Sequence, residues 1–318
     1  MARTRAIWGS FKELRLILVI IAVLIVISII QPGAFSKAES WSPVMLYTFA
    51  YAIIGCGMTI LLVSGGFDLS VGSVMAFSGM VAGMAMNDLG LHWILAVIIG
   101  LASGALIGLL NGTVVAKLKI NPFITTLATM VLLRGVVKLM SGGQARYGFP
   151  DGFNNLGQAA IGGVQVPIIV CVICVIVFDI LLRHSRFFRQ SYYMGGNEES
   201  ARLSGIAVDR VKMAYYSLSG FLAAMAGILS TARYGSASVT AGEGVELKVI
   251  TAVIIGGASL SGGVGTIFGA ALGALLMAIL VTAINIIPGL QTDWEQVIVG
   301  GVLVAAVLID QAGKMRRR

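Results

Sequence analysis

The side chains that could do covalent or metal chemistry are few and scattered. Two histidines, His92 and His184, stand at opposite ends of apolar runs, which leaves no histidine-based metal set. No HExxH, GxSxG or GxxxxGK[ST] string occurs, so zinc hydrolysis, a nucleophile elbow and a Walker loop for nucleotide are all excluded. Cys56, Cys171 and Cys174 lie in apolar stretches, and an odd count there reads as small core residues rather than a disulfide framework. Asp68 and Asp179 fall in different apolar runs with no sign of pairing, so an aspartate-based intramembrane enzyme lacks its dyad. The chain is read as having no catalytic residues, no metal site and no cofactor of its own.

The polar residues that remain suit transport better than catalysis. Asp68 follows Gly65-Gly66 at the end of an apolar run, where a buried carboxylate is costly and usually functional. It either lines a ligand pathway or gate, pairs with Arg134 or Lys138, or caps the next helix from the cytoplasmic interface; the capping reading is preferred. Asn121-Pro122-Phe123-Ile124-Thr125-Thr126 is a helix start, with Asn at the cap and Pro at the first helical position. An echo relates Gly65-Gly66-Phe67-Asp68-Leu69-Ser70-Val71-Gly72 to Gly256-Gly257-Ala258-Ser259-Leu260-Ser261-Gly262-Gly263, as GGxxLSxG. Paired glycine-interrupted segments point to a translocation site, although the echo is equally compatible with chance in a glycine-rich chain. The candidate pathway set is therefore Asp68, Ser70, Asn121, Phe123, Thr125, Ser259 and Ser261.

The elements that must position these residues are membrane helices. The chain has 318 residues, 58% hydrophobic and 11% charged, against roughly 25% charged in a soluble domain. The bilayer must be its solvent, and a crossing takes about 20 apolar residues. Ten spans are expected, at 14–31, 43–64, 72–87, 92–116, 122–141, 165–183, 212–232, 247–259, 264–287 and 294–311. The eighth is too short to cross straight and reads as a broken or re-entrant element. The expected fold is an all-α polytopic bundle in a single transmembrane domain, 1–318. The basic start and the apolar run after it read as an uncleaved signal-anchor. Glycines every four residues, at 100, 104, 108 and 112 and again at 265, 269 and 273, read as close helix packing within one subunit.

Orientation follows from Lys and Arg. Placing both termini in the cytoplasm puts most of the 22 basic residues inside. They cluster at span ends, not on a soluble face, so the net charge of +8 does not signify nucleic-acid binding. The longest outward loop, 141–165, is a candidate docking surface for something outside.

The longest polar stretch, 183–212, is a cytoplasmic loop carrying Arg183, Arg186, Arg189, Arg202, Arg210 and Lys212. Within it Asn197 is a helix cap, Glu198 and Glu199 suit the first turn, and Gly205 is a stop. A helix over 198–204 is about 10 Å long, too short to be stable alone. A partner or the bundle must hold it; a plain surface connector is the competing reading.

At these residues the chain resembles a known family. Glu199-Ser200-Ala201-Arg202-Leu203-Ser204-Gly205 is similar to the EAAxxxG core of the cytoplasmic loop of ABC-importer permeases. The wider string from Gly195, Gly196, Asn197 and Glu198 through Ile206 resembles the ribose-type branch, which imports simple sugars and the autoinducer-2 signal. The two GGxxLSxG segments and the layout of spans resemble it too. One departure is plain: the longer consensus continues to an Ile and a Leu-Pro pair, and no proline lies between Pro167 and Pro288.

The resemblance implies a permease subunit of an ATP-driven importer in the bacterial inner membrane. It implies a second permease copy or paralogue, an ATP-binding subunit that holds ATP and Mg, and a periplasmic substrate-binding protein. The loop at about 184–211 would then couple to the ATPase through 195–205. The rival is a secondary transporter or channel driven by an ion gradient; it predicts more mid-span ionisable residues and gives the loop no task. A membrane scaffold without transport would leave the glycine-interrupted segments unused.

Overall fold

The computed structural model describes residues 2–35, 37–287 and 293–315. Arg316, Arg317 and Arg318, counted above among the inside charges, lie outside the described residues.

Each expected span falls on a helix. In order these are α1 (Ala2–Ile30), α2 (Ala38–Val63), α3 (Val71–Asn87), α4 (Trp93–Lys117), α5 (Pro122–Ser141), α7 (Val166–His184), α10 (Val208–Tyr234), α11 (Val245–Ile255), α12 (Ile267–Ile286) and α13 (Trp294–Met315). Seven of them, α1, α2, α4, α5, α7, α10 and α12, are long and apolar enough to cross a membrane. The helices α3 and α11 are not, nor is the apolar stretch Trp294–Leu308 of α13. At 1.5 Å per residue the 11 residues of α11 cover about 17 Å, roughly half the hydrocarbon core. It is a half-span, as the short apolar run suggested, and it begins at Val245 rather than 247.

Three further helices lie outside the ten spans, and of these only α9 was expected. One is α6 (Asp151–Gln158), in the 141–165 loop, where Gln158 Nε2 donates to the carbonyls of Ala232 and Arg233 at the end of α10. The other two, α8 (Arg186–Gly196) and α9 (Glu198–Leu203), divide the long polar loop. Two-residue strands complete the chain: β1 (Arg146–Tyr147) pairs antiparallel with β4 (Ser236–Ala237), and β2 (Ala160–Ile161) with β3 (Val164–Gln165).

Burial sorts the helices into a core and a shell. The apolar windows of α2, α10 and α12 are 83%, 67% and 72% buried, whereas those of α1, α4, α5 and α7 are 22% or less. The shell helices turn leucine, isoleucine and valine outward, as lipid-facing surfaces do, and keep a narrow inner stripe. On α4 that stripe is the glycine ladder. A Cβ on Gly100 would meet Ile228, on Gly104 Ala224, on Gly108 the Tyr216 carbonyl, and on Gly112 Met213. The descending order makes α4 and α10 antiparallel, in backbone contact along their length. Gly269 and Gly273 press likewise on the carbonyls of Gly256 and Ala252. Both ladders pack inside the subunit.

One end of the bundle gathers the polar loop. Gly263 N donates to Val63 O (2.8 Å), Tyr192 Oη donates to Gly265 O (2.7 Å), and a Cβ on Gly195 would fall on the Val63 carbonyl. The ends of α2, α8, α11 and the start of α12 thus meet at one glycine-lined junction. Thr266 Oγ1 donates to Glu13 of α1 at the same end (3.1 Å). The three cysteines are buried and unbridged.

The two GGxxLSxG copies stop their helices in the same way but one residue out of step. After α2, Gly65 N donates to Leu62 O and Gly66 N to Leu61 O, with Gly65 at φ +79°. After α11 the equivalent bonds run from Gly257 N to Ile254 O and Ala258 N to Val253 O, with Gly257 at φ +97°. Gly65 therefore matches Gly257 in the structure, not Gly256. The shared feature is a left-handed glycine at a helix end, which no residue with a Cβ supplies cheaply.

Candidate functional site: a docking helix and a buried polar seam

The helix α9 is built as its residues dictate. Asn197 has extended backbone, and its Oδ1 accepts the Ser200 N–H (2.8 Å), satisfying one orphan donor of the first turn. Gly205 ends it at φ +84°, with its N–H on the Arg202 carbonyl. The helix runs 198–203, one residue short of expectation. Its Ala201 is buried against the bundle, while Leu203 is 86% exposed at its far side.

Ion pairs fasten it to the transmembrane helix that follows. Arg202 bridges Glu198 (3.3 Å) and Asp209 (2.7 Å), Lys212 pairs with Glu198 (2.5 Å), and Lys119 reaches Asp209 from the end of α4 (3.0 Å). Partial burial alone would raise the Glu198 carboxyl; the hydrogen bonds from Lys212 and Arg202 outweigh it and hold the group below its usual range. Single exposed pairs contribute little, but four joined pairs fix orientation. A groove of about 280 Å³ runs beside the helix, lined by Tyr193, Asn197, Ser200, Ala201, Ser204 and Ile206. Beneath, α8 docks by Phe187 and Phe188 on Tyr215, whose hydroxyl donates to Phe187 O (2.6 Å). The residues 195–205 thus form one unit held to the bundle, with Glu199 and Leu203 exposed.

Asp68 sits elsewhere. It is completely buried within the protein. Its Oδ1 accepts the Ser70 N–H (2.9 Å) and Ser70 Oγ (2.6 Å), and its Oδ2 accepts Ser219 Oγ (3.0 Å). It does organise the start of α3, as the capping reading held. However, Ser219 lies 11 residues into α10, about 17 Å from its start and so near mid-span. Arg134 is not its partner; Arg134 Nη1 donates to Ala241 O (2.6 Å).

From Asp68 a directional chain crosses the bundle. Thr129 Oγ1 donates to Asn111 Oδ1 (2.6 Å), Asn111 Nδ2 to Ser70 Oγ (3.0 Å), and Ser70 Oγ to Asp68. Thr126 Oγ1 accepts the Leu69 N–H (3.0 Å), and Tyr216 Oη donates to Phe67 O (2.9 Å). Of the candidate pathway residues, Asp68 and Ser70 lie together in this seam. Thr126, noted in the sequence as part of the α5 start, joins the seam as well; Asn111, Thr129, Ser219 and Tyr216 were missed. Asn111 alone carried a signal, as an amide inside an apolar span.

The other candidates divide. Asn121 caps α5, accepting the Phe123 N–H (2.8 Å); Thr125 Oγ1 returns to Asn121 O (3.1 Å); and Phe123 stacks on Phe67 at 6.3 Å. These border the seam at its loop end. Ser259 and Ser261 do not join it. Ser261 N donates to Ser259 Oγ (3.3 Å) within the glycine junction beside Gly195.

The comparisons with known proteins decide the family. The sequence profile described as "Branched-chain amino acid transport system / permease component" matches residues 41–307. The ribose import permease protein RbsC of Escherichia coli (strain K12) is 38% identical over 311 residues, 96% of this chain and 95% of RbsC. The chain belongs to the ribose-type ABC-importer permeases. The L-arabinose transport system permease protein AraH of the same strain is 38% identical to this permease, over 98% of it and 93% of AraH. The D-allose transport system permease protein AlsC, also of that strain, is 33% identical over 96% and 92%. The permease is an integral membrane transport subunit rather than an enzyme, and such systems work with an ATPase and a substrate-binding protein.

Proposed function

We propose that this permease carries a monosaccharide, a ribose-like pentose or a hexose, into the cytoplasm of a bacterial cell across the inner membrane. A second permease subunit, identical or paralogous, completes the pathway. ATP and Mg bind on the partner ATPase, and the substrate-binding protein docks on the outward loop around α6. Relatives named for ribose, L-arabinose and D-allose support the sugar class, and a small polyol signal of the autoinducer-2 kind has the same chemistry. All ten apolar helices are read as one transmembrane domain over 1–318, with both termini and the loop at about 184–211 on the cytoplasmic side.

The observation that carries the reading is α9. A six-residue helix is not stable alone, yet this one is capped, stopped and clamped to α10 while Leu203 stays bare. Such a device transmits a push from a docked ATPase straight into α10, which packs on α2, α3 and α4. Movement of α10 carries Ser219, and with it the Asp68 seam. Asp68 and Ser70 thereby join the wall of the pathway to the coupling end, and Asn121, Phe123, Thr125, Ser259 and Ser261 frame its cytoplasmic mouth. Alternating access then requires that the ATPase hold the two states of the bundle with different free energies.

Recovery of the native complex tests this directly. An ATP-binding subunit is expected to co-purify, and sugar-loaded binding protein to stimulate its hydrolysis. Sugar uptake by the permease alone, driven by an ion gradient, would sink the proposal.

A further inference from the structure

Beyond the seam, the chain folds back into the bundle. At the end of α10, Gly235 turns at φ +59°, β4 pairs with the outward loop, and residues 238–244 descend to α3. Gly242 and Gly244, at φ +69° and +72°, bend it into α11. The descent ends against Gly72, two residues past Ser70. A Cβ on Gly72 would fall on Glu246 Oε2 and on the Gly242 carbonyl, and would lie 3.5 Å from Arg134 Nη2.

Glu246 is therefore a carboxylate at membrane depth, nine residues and about 14 Å above the end of α11. It is 9% exposed. Its carboxylate is turned to the backbone N–H groups of Gly244 and Glu246, while Oε2 is buried with no hydrogen-bond partner. It is the only buried carboxylate oxygen so left among the described residues. Arg134 faces it from α5, half-exposed, with one hydrogen bond to Ala241 O. Arg134 and Glu246 attract across this gap without closing an ion pair, and Glu243 and Lys248 act on them as well. Both end groups nevertheless lie within 3.5 Å of one point. A gap wider than an ion pair and this narrow suits one hydroxyl holding two hydrogen bonds of about 2.8 Å each.

A buried carboxylate oxygen left without a partner is expensive and calls for a use. A carboxylate that only accepts, set against a guanidinium that only donates, is complementary to a sugar hydroxyl, which does both. Glycine hinges on the covering segment give the site a way to open. A water-bridged structural pair would explain the spacing but not why the segment that covers it against Gly72 is bent at two left-handed glycines, Gly242 and Gly244.

We propose that Arg134 and Glu246 form a hydroxyl-recognition pair for the transported monosaccharide, shut behind the 238–244 segment in this state and uncovered during the cycle. The pair selects polyhydroxylated solutes inside the pathway, independently of the binding protein. This rests on the sugar-import reading above.

The test is the complete importer, with its ATPase and binding protein, reconstituted in liposomes. Uptake of radiolabelled D-ribose, L-arabinose and D-allose is measured together with ATP hydrolysis. For whichever sugar the wild type carries, Glu246→Gln and Arg134→Gln are expected to lower the sugar moved per ATP at least tenfold, with stimulated hydrolysis within about twofold of wild type. A purely structural pair would lower uptake and hydrolysis together and leave their ratio unchanged; that result, or wild-type behaviour of both variants, overturns the pair. A wild-type complex that moves none of the three sugars overturns the underlying reading instead.

Discussion

Ser219 Oγ donates to Asp68 Oδ2 at 3.0 Å, joining the middle of α10 to the break between α2 and α3 across 151 residues of sequence. Through it, the helix that carries the docking unit also carries the polar seam. Asp68→Ala would strip the acceptor from Ser70 N, Ser70 Oγ and Ser219 Oγ in a fully buried setting. Stranding such donors costs about 1–3 kcal/mol, more if several fail together. Thermal unfolding in detergent should show a clear drop for Asp68→Ala and a smaller one for Asp68→Asn, which keeps an acceptor.

The glycine ladder separates two kinds of glycine on neighbouring helices. Gly108→Ala places a methyl on the Tyr216 carbonyl, so α4 must move off α10, at about 1–3 kcal/mol as for other overpacked cores. Gly135→Ala on α5 meets nothing within 4 Å and gains roughly 0.5–1 kcal/mol of helix preference. Melting temperatures should therefore move in opposite directions. Equal effects would mean that the α4–α10 contact is not backbone to backbone.

The clamp on α9 should be acid-sensitive in a defined sense. The Glu198 carboxyl is depressed in the folded state, burial being outweighed by Lys212 and Arg202. Its contribution is complete above the unfolded value, near 4.5, and is lost as pH falls through the lower folded value. Hydrogen exchange of amides 198–203, corrected for intrinsic rate, should stay flat down to the ordinary glutamate range and rise below it. Glu198→Gln should exchange faster at neutral pH and lose that acid step.

Local chemistry made much of this legible. Asn197 and Gly205 carry their own reasons, because a cap and a left-handed stop depend only on neighbouring residues. The apolar runs gave every long helix, since a membrane leaves the backbone few other choices. What stayed hidden was long-range. Ser219 and Thr129 look like ordinary hydroxyls in apolar helices until folding sets them against Asp68 and Asn111. The burial of Asp68 was missed for the same reason: at the end of an apolar run nothing local shows that Ser219, 151 residues on, closes over it. The GGxxLSxG echo misaligned Gly65 with Gly256 because identity counts letters, whereas the left-handed turn falls on Gly257. The amphipathic α8 escaped because its aromatic stripe lies inside a strongly basic segment.

Docking energy should concentrate on the bare face of α9. Glu199→Lys and Gly205→Arg should leave the protein inserted but uncouple it, the first by reversing an exposed charge and the second by straining a φ of +84°. Sugar-stimulated ATP hydrolysis in reconstituted complexes should fall at least tenfold in each. Undiminished stimulation would return α9 to the status of a surface connector.

The most direct test of that coupling role is a position-specific cross-link. The native Cys56, Cys171 and Cys174 are buried, so a cysteine placed at Leu203 can be labelled selectively with a photoreactive group. A second variant carries the label at Ile161, 67% exposed on the β2–β3 hairpin. In the native complex the account predicts that Leu203→Cys cross-links to the ATP-binding subunit and Ile161→Cys does not. A cross-link to that subunit from Ile161→Cys, or none from Leu203→Cys in a complex that still contains it, would contradict the account.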